Sequence, residues 1–155
     1  MPKELTLLFL LRRDEILLAM KKRGFGADRW NGVGGKLEAG ETVEQALIRE
    51  CREEIEVTPL SYTKVAEHTF IFPEDISDMH VHTFIATKWK GVPAETEEMA
   101  PRWFMVEEIP YRQMWQDDSI WLPLVLAGKK LRSHFTFDSQ DNIRTGTFEI
   151  VEELE

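Results

Sequence analysis

Cysteine is almost missing from this chain, and its single copy, Cys51, excludes an internal disulfide. Long apolar runs are missing too. Leu5 to Leu11 falls well short of the ~20 apolar residues that span a bilayer, and it runs into Arg12-Arg13-Asp14-Glu15 without a small-residue cleavage site. Positive charge is scarce: 19 Lys and Arg stand against 28 Asp and Glu, a net charge of −9. That balance, with no basic stripe, argues against a nucleic acid polymer or an anionic membrane as partner. Repeats, linkers and composition shifts are absent. The 155 residues, 43% of them hydrophobic, are therefore expected to form one globular domain over residues 1–155. A soluble, cytoplasmic, monomeric protein is the expectation, with Cys51 as a small buried hydrophobe.

What is present in excess is carboxylate, and it is concentrated in Gly35 to Val57, GKLEAGETVEQALIRECREEIEV. Thr42 opens a helical pattern with Gln45 at capping-box spacing. Val43, Leu47 and Cys51 recur every four residues as one apolar stripe. Seven residues after Leu47 the stripe meets Glu54 instead of an apolar side chain. Glu50, Glu53 and Glu54 then share one helix face at i, i+3 and i+4. They crowd the C-terminal half of the helix, where the macrodipole disfavours anions. A solvated acidic face would not interrupt the core stripe. A bound divalent cation would reverse the sign of each of these repulsions, since hard cations take carboxylate oxygens.

Gly35, Glu41, Arg49-Glu50-Cys51-Arg52-Glu53-Glu54 and Val57 resemble the signature box of the Nudix hydrolases. One position departs: Glu56 stands where the family has a glycine, so the helix must either accept a left-handed residue or end differently. The resemblance implies an α+β Nudix fold, a mixed β-sheet sandwiched between α-helices. It also implies Mg²⁺ (with Mn²⁺ as a substitute) held by Glu50, Glu53 and Glu54, a backbone carbonyl at Gly34, and Glu98 from a loop opposite the helix. Glu50, Glu53 and Glu54 are the catalytic candidates, with Glu50 first as base and Glu54 close behind. Arg49, partnered by Glu41, is expected to orient the glutamates.

Along the rest of the chain, Leu5–Leu11 and Ile16–Met20 read as a hairpin buried on both faces. Lys21-Lys22-Arg23-Gly24-Phe25-Gly26 is a basic, glycine-punctuated loop suited to phosphate, although Lys22 alone reads as a solubilising residue. Trp30 to Lys36 carries three glycines around Val33, which permits close backbone approach to a ligand. Tyr62–Phe72, Met79–Lys88 and Arg102–Val106 read as strands, Lys129–Arg132 as a loop, and Phe135–Val151 as a closing strand pair. Phe70 and Phe72 alternate onto one face, and core packing and base stacking both stay open for Phe70. His80 and His82 have a chelating spacing but no visible third ligand, which places them outside the expected site. In Met114 to Pro123, Asp117 and Asp118 sit among tryptophans. Either an aspartate caps a helix there, or aromatics and carboxylates form a base pocket.

MKKRGFGADRWNGVGGK, TEEMAPRWF and MWQDDSIWLPL extend the likeness to the oxidised-purine nucleoside triphosphatase subfamily of the Nudix hydrolases. That likeness implies hydrolysis of a nucleotide such as 8-oxo-dGTP or 2-hydroxy-dATP to the monophosphate and pyrophosphate. It places Thr6, Lys21, Phe25, Asn31, Trp115, Asp117 and Asp118 in the nucleotide pocket. Gly34, Gly35, Lys36 and Phe70 complete the substrate-binding candidates. Gln116 replaces a proline of the subfamily, which bears on the approach to the aspartates. Two adjacent carboxyls in a partly dry pocket resist double ionisation, so one can keep a proton and donate it to a purine edge. The alternatives are a Nudix pyrophosphatase for another nucleotide (ADP-ribose or a dinucleoside polyphosphate) and a non-catalytic nucleotide sensor.

Overall fold

The computed structural model describes residues 2–154. Strands β1 (Lys3–Arg12) and β2 (Glu15–Lys21) form the expected hairpin, but they pair only at its tip, Leu11 with Ile16 and Arg12 with Glu15. Beyond the tip they part. β1 runs parallel to β5 (Met79–Lys90), while β2 pairs antiparallel with the short β3 (Trp30–Asn31) and with β6 (Met99–Met105). The long β4 (Thr58–Ile71) lies antiparallel to β5 and parallel to β7 (Lys130–Phe137), and β7 turns back into β8 (Ile143–Val151). The strand order is β3-β2-β1-β5-β4-β7-β8, with β6 on the free side of β2. Lys130 to Arg132 belongs to β7, which corrects the loop expected there: Leu131 is fully buried, and alternation continues through Ser133 and Phe135.

Two helices cover this mixed sheet, one on each face. Helix α1 (Val43–Ile55) starts with the capping box foreseen at Thr42 and Gln45, both reciprocal hydrogen bonds being present. Its Leu47, Cys51 and Ile55 pack on Leu8, Leu10, Phe84 and Ala86. Helix α2 (Asp118–Leu126) places Trp121, Leu122 and Val125 against Phe9, Leu131 and Phe135 on the opposite face. The unbroken apolar run of β1 is thereby explained: Leu8 and Leu10 face α1, while Leu7 and Phe9 face α2. Each such leucine or phenylalanine contributes roughly 1.5–3 kcal/mol by leaving water.

Helix α1 ends on Glu56 in the left-handed region (φ 62°, ψ 32°), its N–H donating to the Arg52 carbonyl. The chain accepts the strain that a glycine would avoid, ~1–2 kcal/mol for a side chain in this region. No helix among the described residues is long and apolar enough to cross a membrane.

Candidate active site

The glycine-rich turn between β3 and α1 holds the centre of the site. It runs antiparallel along β1: Leu8 and Val33 exchange both backbone hydrogen bonds, and the Thr6 N–H donates to the Gly35 carbonyl at 2.9 Å. The approach is so close that a Cβ on Gly34 would stand 1.9 Å from the Thr6 carbonyl oxygen. A Cβ on Gly35 would meet the Glu50 carboxyl at 2.6 Å. Only glycine fits at Gly34, where the obstacle is backbone, whereas a side chain at Gly35 would displace the Glu50 carboxyl.

On the helix side of this turn stand the carboxylates of α1. Glu54 is buried, and its Oε1 accepts the Gly34 N–H at 2.8 Å. Burial pushes its pKa up to about 8; the Gly34 hydrogen bond works against that rise, and the charges of Glu50 and Glu98 add to it. Glu50 is raised as well, first by burial and then, against the pull of Arg49, by Glu53 and Glu98. The loop residue Glu98 therefore faces both helix glutamates. Glu53 is the most exposed of the three, its side chain 56% accessible.

Arg49 ties the group together. Its Nε and Nη2 donate to the two oxygens of Glu41 at 2.7 and 2.8 Å, a bidentate pair. Its Nη1 reaches Glu50 at 2.7 Å and Glu53 at 3.3 Å, and Nη2 also donates to the Lys36 carbonyl at 3.0 Å. The Arg49 hydrogen bond holds the Glu41 carboxyl down at about 2. Arg49 so fixes three carboxylates and the end of the glycine turn at once.

On the other side of the turn is a cavity of about 180 Å³. Thr6, Lys21, Phe25, Asn31, Gly34, Gly35, Phe70, Trp115, Asp117 and Asp118 all line it. Lys36 does not: it is bridged to Leu5, and its carbonyl is held by Arg49. Lys21 Nζ donates to the Phe25 carbonyl at 2.6 Å, which pins the basic loop at the rim. Phe25 lies over Trp115, ring centroids 5.2 Å apart and 29° from parallel. Arg29 stacks on the same indole, its guanidinium carbon 4.2 Å from the ring centre, and pairs with Asp141 at 2.9 Å.

The aspartates form the polar floor of this cavity, and both are buried. Asp117 stands at the α2 N-cap position without a side-chain capping bond. Its Oδ2 instead accepts the Trp121 indole N–H at 2.7 Å. Burial raises Asp117 to about 6, against the Trp121 hydrogen bond. Asp118 is pushed well above the ordinary range, first by burial and next by the charge of Asp117. Its Oδ2 has no hydrogen-bond partner among the described residues. Of the two accounts of this stretch, helix capping is not what the side chains do.

Gln116 points away from the cavity, bridging Asn142 and the Ile143 N–H at 2.7 and 2.8 Å. Met79, Val81, Met99, Trp121 and Phe137 also line the cavity and went unmarked as site residues, being indistinguishable from core residues by pattern. Arg29 went unmarked because its partners lie 86 and 112 residues away.

A family model described as the NUDIX domain matches residues 2–125. This chain belongs to the Nudix family. It is 44% identical to the zebrafish (Danio rerio) oxidized purine nucleoside triphosphate hydrolase over 152 residues, 98% of this chain and 97% of that protein. The mouse (Mus musculus) protein of the same name is 46% identical over 138 residues, 89% of this chain and 88% of its own length. Among solved structures, the MutT protein of Bacillus halodurans superposes with a TM-score of 0.83 at 22% identity, covering 95% of this chain and 97% of that one, and supports the Nudix fold. Nudix hydrolases generally need a divalent metal.

Proposed function

We propose that this chain hydrolyses oxidised purine nucleoside triphosphates to the nucleoside monophosphate and pyrophosphate. The observation that carries the reading is the buried pair Asp117–Asp118, with Asp118 Oδ2 unpartnered, flooring an aromatic cavity that shares the Gly34–Gly35 wall with the glutamates. A base in the cavity therefore has its phosphates directed past the glycine turn toward α1. The activities for which these relatives are named, and that of the 8-oxo-dGTP diphosphatase of Escherichia coli, 35% identical over 99 residues, support the substrate class.

Recognition rests on donors and acceptors. A carboxyl kept protonated by burial donates, and its ionised neighbour accepts. Together they match a purine edge that has both, and 8-oxoguanine carries an additional donor at N7. Asn31 lines the same cavity and carries both a donor amide and an acceptor oxygen, the latter also receiving the Gly32 N–H at 2.8 Å. A wrong base leaves buried polar atoms unpaired, which is where strong discrimination comes from.

The chemistry of the donors suits magnesium, with Glu50 and Glu53 held by Arg49 in this structure. The set is all oxygen (Glu50, Glu53, Glu54, Glu98 and the Gly34 carbonyl), with no histidine or thiolate among them. A bound ion supplies charge neutralisation and a more acidic water. Glu50, held by Arg49 through one oxygen, accepts the proton of the attacking water, with Glu54 as the second candidate base. Lys21, at the cavity rim, balances phosphate charge in an otherwise acidic protein. The net charge of −9 disfavours a nucleic acid polymer and leaves a nucleotide's phosphates to be met by local cations, and the reading includes a monomeric cytoplasmic enzyme formed by one domain.

The deciding measurement is steady-state hydrolysis of 8-oxo-dGTP beside dGTP, 2-hydroxy-dATP and ADP-ribose, repeated with Asp117→Asn. Preference for the oxidised purines, reduced by the substitution, is expected. Equal or better turnover of ADP-ribose would overturn the proposal.

A further inference from the structure

We infer a second cation site, formed by Glu4, His80 and His82, that selects a borderline transition ion such as Zn²⁺ and is independent of the α1 glutamates. His80 and His82 are two apart on β5 and so project to one face of the sheet. The missing third ligand comes from the parallel neighbour: β1 sets Glu4 opposite His80 and Thr6 opposite His82. Glu4 Oε1 lies 2.8 Å from His82 Nε2 and 3.0 Å from His80 Nδ1. The three side chains can offer ligand atoms all within 4.8 Å of one another.

Tetrahedral zinc with bonds of about 2.0–2.1 Å holds its ligand atoms roughly 3.3 Å apart. Each observed contact needs to open by only a few tenths of an ångström. Two imidazoles and one carboxylate suit zinc better than magnesium, which prefers oxygen alone. The side chains of His80 and Glu4 are 30% and 42% accessible, so the ion has an entry path and a water can complete its shell.

The surroundings mark which ring nitrogens are available. His80 Nε2 faces Glu67 Oε1 at 3.4 Å, so an ion that takes Nδ1 from the Glu4 carboxylate leaves the ring proton on Nε2 with a carboxylate to receive it. Lys64 opposes the ion. Its Nζ donates to His82 Nδ1 at 2.8 Å, whereas an ion on Nε2 requires that nitrogen to carry the proton. On loading, Lys64 must leave the ring, and its 2.8 Å pair with Glu67 remains to hold it. The same strand anchors the chain after the glycine turn: the Glu4 carbonyl accepts the Leu37 N–H at 3.0 Å.

The test is calorimetric titration of Zn²⁺ into the whole protein under saturating Mg²⁺, with Co²⁺ absorption reporting nitrogen ligation. One equivalent that millimolar Mg²⁺ does not displace is expected. Affinity should fall at least about tenfold in His82→Gln and in Glu4→Gln, with folding checked by circular dichroism and His80→Asn as the further variant. In Lys64→Met affinity should rise, an outcome that a mere ion-pair cluster does not give. No saturable uptake, uptake lost to Mg²⁺ or to Glu53→Gln, or uptake indifferent to His82→Gln would overturn the inference. None of these readouts depends on which nucleotide is hydrolysed.

Discussion

Asp117→Asn separates the fold's interest from the site's. The substitution keeps the shape and keeps an acceptor for the Trp121 N–H, which now bonds Asp117 Oδ2 at 2.7 Å. What it removes is ionisation in a buried place. The pKa of Asp117 is raised from 3.8 to about 6 in the folded chain. At about 1.4 kcal/mol per tenfold, that rise is worth about 3 kcal/mol. Its sign follows from proton linkage. Between pH 4 and pH 6 the native state holds the proton more tightly than the unfolded one, so stability falls as pH rises through this window and is level above it. A domain of ordinary stability has ~5–15 kcal/mol in hand, so the effect is large enough to measure. Urea denaturation of both proteins at half-unit steps from pH 4 to 7.5 gives the difference curve, in which the carboxylates distant from Asp117 cancel to first order. Asp117→Asn should gain about 3 kcal/mol on the wild type across this range, more if Asp118 relaxes once its charged neighbour is gone. A flat difference, or a gain toward low pH, would refute the claim that burial governs this pair.

Other substitutions probe the remaining parts. Glu54→Gln should cut kcat by roughly 10²–10⁴-fold with nucleotide binding retained; near-normal turnover at saturating Mg²⁺ removes Glu54 from the chemistry. Arg49→Ala frees Glu41, Glu50 and Glu53 together. It should weaken magnesium affinity about 10- to 100-fold by calorimetry, and leave the intrinsic fluorescence response of the tryptophan-lined cavity intact. Trp115→Ala removes the stacking surface, a loss of about 1–3 kcal/mol per base, read as a KM increase of about 5- to 150-fold with little change in metal affinity. Gly34→Ala drives a Cβ to within 1.9 Å of the Thr6 carbonyl; the turn must leave β1, seen as faster hydrogen exchange at Thr6 and Gly35 together with lost activity.

The parts legible in the sequence are those whose cause is local. The capping box at Thr42, the stripe through Leu47 and Cys51, and its interruption at Glu54 all depend on helical spacing alone, and α1 follows them closely. The family likeness placed the wide set of residues around the cavity. Spacing could not tell that the β1–β2 hairpin opens after its tip, because both strands are apolar on both faces and either partner would satisfy them. The register of a parallel pair was equally invisible. Glu4 and His80 are 76 residues apart, and only the alignment of β1 on β5 makes them neighbours. Arg29 is hidden for the same reason, its ring partner and its carboxylate partner arriving from two later segments.

The two acidic groups of this site face the same physical difficulty and meet it differently. Glu50 and Glu54 are crowded beside Glu98 near the C-terminal end of a helix, where the dipole adds to their repulsion. Two donors, the Gly34 N–H to Glu54 and an Arg49 guanidinium N–H to Glu50, relieve part of that strain and leave the rest for a cation. Among the described residues no cation pairs with Asp117 or Asp118, and one indole N–H is the side-chain donor they receive. A proton is what relieves them. A cation and a proton differ in what they recruit: the first draws in phosphate, while the second turns an acceptor into a donor facing a base. The single glycine turn between the two groups keeps these charge solutions apart while letting one extended ligand touch both.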